Sequence, residues 1–253
     1  MWWNKKKESP NIIFETNNWA VRKYAPIQPA YKFVPKKFKN LETVIKKGEK
    51  PIDDIYSIKI CPGLQNYMAL GYVIPAWCDI EIKPNGKTGT PEIRYSDPEN
   101  NLACHYPEQL GDFLDDKFDV KIPIKLDNPW KPWQPKGWSA LYLPMYYFED
   151  HNFEAIPGVI DGDMASLNSP INIMVKKDKP FIIKMGTPLT QVIPFERKPG
   201  KIVTREPSDQ GIYRFEAIRR SKFMTFKGWR DKVVSKHKDN FIVDAQNTDL
   251  PEN

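Results

Sequence analysis

The chain has 253 residues, 40% of them hydrophobic and 13% aromatic, with 24 prolines and a net charge of +6. That apolar content suffices for a packed core and excludes a disordered, low-complexity chain. The proline density excludes long helices over most of the length, because proline fixes φ and donates no backbone hydrogen bond. A mostly β protein is expected. Cys61, Cys78, Cys104 and the histidines His105, His151 and His237 are too few and too scattered for a zinc site, so the cysteines read as free thiols and no metal ligand is assigned. No apolar run is long enough to span a bilayer. Met1 to Lys7 is followed by Glu8, Ser9 and Pro10 rather than by an apolar stretch, so no signal peptide and no membrane partner are expected.

Charge divides the chain into three unequal stretches and a short tail. Net charge is +7 over residues 1–60, −6 over 61–196 and +9 over 197–238, and the last fifteen residues carry four acids and no base. An acidic middle with basic ends fits two uses of those ends. They can meet nucleic acid, or they can dock on acidic surfaces of neighbouring subunits.

In chain order, residues 1–56 read as a basic, proline-punctuated arm with one strand-like run, Tyr31-Lys32-Phe33-Val34. A core is expected over 57–196. Cys61 to Gly71 predicts a short helix: Pro62 suits its first turn, Leu64, Tyr67 and Met68 make one face, and Gly71 can end it. Strands are predicted at Tyr72–Ile74, Cys78–Ile82 and Glu92–Tyr95, and residues 111–120 read as an acidic stretch facing water. Lys121 to Leu126 alternates as an edge strand would. Asn128 to Trp138 interleaves three prolines with Trp130, Trp133 and Trp138, either as a platform for a nucleobase or as a stiff loop packed on the core. Leu141 to Phe148 predicts a buried strand. Ile171–Val175 and Phe181–Ile183, split by Lys176 to Lys179, predict a hairpin followed by a third strand. Residues 197–253 read as an extension in which Ile212, Phe215, Ile218, Phe223, Phe226, Trp229 and Val233 recur at helical spacing opposite a basic face, before an acidic tail.

Four short motifs carry the chemistry. They are Ala76-Trp77-Cys78-Asp79-Ile80, then Pro135-Lys136-Gly137-Trp138-Ser139-Ala140-Leu141, then Gly158-Val159-Ile160-Asp161-Gly162-Asp163, and last Gly186-Thr187-Pro188-Leu189-Thr190-Gln191. In this order they resemble, in degraded form, the motifs of dUTPases and dCTP deaminases. Gly71 to Trp77 and the Gly-Thr-Pro-Leu-x-Gln strand are also similar to proteins of tailed phages of marine cyanobacteria. The resemblance implies a β-clip core, with an irregular N-terminal arm and a C-terminal amphipathic helical segment around it.

It also implies roles. Asp161 would orient or deprotonate an attacking water as general base. Asp79 would sit near metal and phosphate, Ser139 would contact phosphates, and Asp163 and Gln191 would line the substrate pocket. Several family residues are replaced. Lys136 or Trp138 stands where the second motif has arginine, Met164-Ala165 stands where the third has Tyr-Arg, and Trp77-Cys78 stands where the first has Gly-Tyr. No glycine-rich fifth motif follows Phe195. These losses favour a non-catalytic, phage-type binding or assembly protein with no cofactor. The rival is a Mg²⁺-dependent pyrophosphatase of dUTP-like nucleotides. The resemblance further implies a homotrimer, or other viral or host proteins as partners, in the host cytoplasm or in a virion.

Overall fold

The computed structural model describes residues 11–49, 54–96, 103–104, 107–109, 122–148, 152–163, 169–198, 200, 202 and 204. The expected acidic stretch at 111–120 and the C-terminal helix at 208–233 lie outside the described residues. Among those described, the protein is mostly β, with many short strands and three short helices. They group into two compact units. One holds residues 11–41 and the described residues between 63 and 198; the other holds 42–49, 54–62, 200, 202 and 204.

In chain order the strands are β1 (Ile13–Glu15), β2 (Gln28–Pro29), β3 (Val44–Lys46), β4 (Ile55–Tyr56), β5 (Tyr72–Pro75), β6 (Ile80–Lys83), β7 (Glu92–Tyr95) and β8 (Ala103–Cys104). Next come β9 (Pro123–Leu126), β10 (Lys131–Trp133), β11 (Trp138–Pro144), β12 (Phe153–Ala155), β13 (Gly158–Ile160), β14 (Ile171–Val175), β15 (Phe181–Ile183) and β16 (Pro188–Glu196). The helices are α1 (Trp19–Tyr24), α2 (Lys36–Asn40) and α3 (Pro62–Ala69).

The larger unit is built on three antiparallel sheets, in the orders β13-β11-β16-β5-β2, β12-β14-β9-β8 and β15-β6-β7, with β1 paired to β10 beside them. Their inner faces share one core in which Ile74, Ile80, Ile82, Ile124, Leu126, Ile173, Ile183 and Val192 are buried. Pleating explains the selection. In β6, Ile80 and Ile82 point inward while Glu81 and Lys83 point out, and Pro188 to Val192 of β16 are buried throughout because that strand is covered on both faces. The smaller unit is the β3–β4 hairpin, held across its loop by Gly48 N–H donating to Asp54 Oδ1 at 2.9 Å.

Three local expectations are corrected. Ala30 to Phe33 forms a 3-10 turn, where a strand was expected at Tyr31 to Val34: Pro29 and Pro35, which donate no backbone hydrogen bond, bracket it, and Val34 N–H turns back to Tyr31 O. The segment ending at Leu126 is interior: β9 pairs with β14 on one side and β8 on the other, and Ile122 and Ile124 are fully buried. β14 and β15 do not form a hairpin. β14 lies between β12 and β9, whereas β15 crosses to another sheet and pairs Phe181 with Ile82. The Trp-Pro stretch divides. Trp130 is buried in the core, while β10 lies against β1 and leaves Trp133 exposed.

Candidate functional site

Strand pairing gathers three of the motif residues. β11 pairs with β13, aligning Ala140 with Ile160, and with β16, aligning Ser139 with Phe195. Asp161 therefore leaves β13 beside Ser139, and the chain beyond β16 runs alongside Gly137, whose carbonyl accepts from Arg197 N–H at 2.7 Å. Gly137 turns the chain at φ +82°, a conformation that suits glycine, and its N–H donates to Asp163 Oδ2 at 2.8 Å.

At the centre Ser139 Oγ donates to Asp161 Oδ1 at 2.5 Å. Arg197 binds both carboxylates: Nη1 lies 2.9 Å from Asp161 Oδ1 and 3.1 Å from Ser139 Oγ, and Nη2 donates to Asp163 Oδ2. The fork is thus split between two acids. The Asp161 side chain is 46% exposed and the Asp163 side chain 7%. The Ser139 hydrogen bond, then Arg197, hold the Asp161 carboxyl below its ordinary value. Asp163 is lowered by Arg197 and then by the Gly137 N–H, and the two acids in turn raise the Arg197 guanidinium.

Beneath this cluster Gly162 N–H donates to Gln134 Oε1 at 3.2 Å, and a Cβ at Gly162 would come within 3.1 Å of the Gln134 side chain. Gln134 Nε2 and Asp163 Oδ1 are buried without a hydrogen-bond partner among the described residues.

Asp79 and Gln191 make their contacts elsewhere. Asp79 accepts from Lys184 Nζ at 2.7 Å and from Met185 N–H at 2.8 Å, which lowers its carboxyl. Gln191 is 3% exposed, and its Nε2 donates to Tyr67 O at 3.0 Å and Leu70 O at 2.6 Å, satisfying carbonyls at the end of α3. The structure therefore joins Ser139, Asp161 and Asp163, and ties Asp79 and Gln191 to other partners.

Arg197 is the residue that motif reading missed. It lies two positions past Phe195, the last residue of the apolar strand-like run. The usable signal was parity: a strand opposite Ser139 at Phe195 brings position 197 opposite Gly137 and beside the acids. Among the described residues no three His, Cys, Asp or Glu side chains group as a metal cage. Asp161 and Asp163 share the single guanidinium of Arg197, which offsets one of their two charges and engages an oxygen of each, so these residues do not fit a dedicated Mg²⁺ site.

No protein-family profile matches the chain, and no curated protein does. Among solved structures, it is similar to the EIAV dUTPase at 9% identity and a TM-score of 0.33, over 79% of this chain and 98% of that one. It is similar to a variant of the Staphylococcus bacteriophage 80alpha dUTPase at 11% identity and 0.37, over 79% and 99%. A variant of the dUTPase from phage phi11 of S. aureus gives 11% and 0.36, over 79% and 99%. These are proteins of the kind the four motifs resemble.

Proposed function

We propose that this is a non-catalytic binding or assembly protein of phage type, built on a dUTPase-like β-clip core and working as a homo-oligomer, most simply a trimer. The observation that carries the reading is the state of Asp161. A general base is most effective when its pKa lies near the working pH. Asp161 is instead pushed below its ordinary value by Ser139 and Arg197, and it shares that guanidinium with Asp163. Charges compensated in this way pin β13 to β11 and to the chain leaving β16.

One observation favours the rival. Arg197 supplies beside the buried Ser139 the guanidinium that the second motif lacks, so a phosphate could meet Arg197 while Asp161 orients water. Incubating pure protein with Mg²⁺ and a panel of deoxynucleoside and ribonucleoside triphosphates separates the two. The binding reading expects no pyrophosphate release. Release that disappears in Asp161→Asn would replace it with the hydrolase. Mass measurement in solution tests assembly: a species near three times 29.5 kDa is expected, and a monodisperse monomer at micromolar concentration would contradict it.

A further inference from the structure

Asn85-Gly86 is the single Asn-Gly pair in the chain, and Asp161-Gly162 is the single Asp-Gly pair. Both pairs share a chemical liability. The glycine nitrogen can attack the preceding side-chain carbonyl carbon, because glycine carries no side chain to shield it. Their surroundings differ. Asn85 and Gly86 are exposed in the loop between β6 and β7. Asn85 Oδ1 accepts from Lys87 N–H at 3.2 Å and from Thr88 N–H at 3.3 Å. The Asn85 backbone carbonyl accepts from Thr88 N–H at 3.2 Å and from Gly89 N–H at 2.8 Å, which fixes the turn. Gly86 N–H donates to Asp178 Oδ1 at 3.0 Å. Strand register explains that last contact. β15 pairs antiparallel with β6, with Phe181 opposite Ile82, so the connection leaving β14 carries Asp178 alongside Asn85 and Gly86.

We propose that Asn85 is a self-modification site, at which the Gly86 nitrogen closes on Asn85 Cγ to form a succinimide that opens to aspartate or isoaspartate. Asp178 takes the Gly86 amide proton as the new C–N bond forms. Negative charge builds on Asn85 Oδ1, at which the Lys87 and Thr88 N–H groups already point, and donors placed in this way stabilise such an oxyanion. The tetrahedral carbon then expels the side-chain nitrogen, which leaves as ammonia with the proton that Asp178 returns. Water opens the ring at either carbonyl, so the balance is one amide and one water to one acid and one ammonia. Either product sets a new carboxylate beside Asp178, and isoaspartate also lengthens the backbone of the turn by one carbon. Both changes loosen the β6–β7 loop from the connection that leads into β15. The second pair is held against the same chemistry. Asp161 is a carboxylate, a poorer electrophile than an amide, and it is bound by Ser139 and Arg197; Gly162 N–H donates to the neutral Gln134 Oε1. The proposal stands apart from the binding or assembly role and from any turnover at Asp161.

Peptide mapping by mass spectrometry of the full chain, aged in warm neutral buffer, tests it. Isoaspartate is expected to accumulate at position 85, with the mass gain of amide-to-acid conversion, while Asp161 stays unmodified. Isoaspartate is diagnostic, since direct hydrolysis of the side-chain amide yields aspartate alone. Asp178→Asn keeps an acceptor for Gly86 N–H but removes the base, and it should slow the reaction by roughly tenfold or more. Gly86→Ala shields the attacking nitrogen and should slow it too. Both substitutions lie on exposed loops, and an unchanged melting temperature shows that each variant is folded. A synthetic peptide of residues 82–90 has the same Asn-Gly pair without the held turn or Asp178, and it should react more slowly than the folded chain. Aspartate without isoaspartate, an unchanged rate in folded Asp178→Asn, a free peptide as fast as the folded chain, or isoaspartate formed equally at Asp161 overturns the proposal.

Discussion

Two places in the molecule use motif side chains of the same origin in opposite ways. At the end of α3, Gln191 is buried and spends its amide on two backbone carbonyls, a task with no room for a ligand. At the mouth of β13, Asp161 is half in water and spends its charge on a side chain that arrives from another strand. The first arrangement is paid in desolvation, so loss of one partner leaves polar groups stranded. The second is screened by solvent, so its loss is mild for stability and informative for function. A motif can persist because it closes a helix, and its persistence then says little about chemistry.

The sharpest break in that comparison is at the turn that follows α3. Gly71 has φ +70°, and a Cβ there would stand 2.2 Å from Val192 O. Gly71→Ala is expected to destabilise by more than the roughly 1–2 kcal/mol that left-handed backbone alone costs a non-glycine residue, read by denaturant midpoint. Next in size, Gln191→Leu removes the side-chain donor to Leu70 O and leaves Tyr67 O with Leu70 N–H alone, and it should cost about 1–3 kcal/mol. If Gln191→Leu melts like wild type yet weakens binding of a nucleotide, the buried cap is not its main task.

Acid titration sharpens the other half. Asp79, Asp161 and Asp163 are all held below their ordinary value of 3.8. Groups lowered in the folded state contribute stability that is whole above 3.8 and disappears as pH falls through the lowered values. Melting temperature should therefore be flat through neutral pH and fall below about pH 4. Arg197→Met should shrink that acid-dependent part, because it removes the cation shared by Asp161 and Asp163. An unchanged acid limb in Arg197→Met would mean that the fork contributes nothing in solution. The smallest effect is expected from Asp161→Asn, which keeps shape and hydrogen bonding at a partly exposed site and should melt close to wild type.

How far these features can be read from sequence depends on where each signal lies. The helix α3 was legible because Pro62, an apolar face and Gly71 mark its two ends and its inner side locally. The mostly β class followed from proline density and alternating runs. The β14–β15 pairing was misread because Lys176 to Lys179 is the same polar break whether the chain doubles back or crosses to another sheet; only Ile82, a hundred residues upstream, decides it. Ser139, Asp161 and Asp163 could be named from the family resemblance of their motifs, yet their shared cation could not, since Arg197 enters through strand register rather than through any motif. Tyr31 to Val34 alternates like a strand, but between Pro29 and Pro35 the backbone closes a 3-10 turn instead.

Pyrophosphate release from nucleoside triphosphates, measured side by side for wild type and Asp161→Asn, tests the central claim most directly. A charge-compensated Asp161 predicts background release from every triphosphate with Mg²⁺ in both proteins. Turnover by wild type that drops about 10²–10⁴-fold in a variant with an unchanged melting temperature would contradict it and make Asp161 a catalytic base.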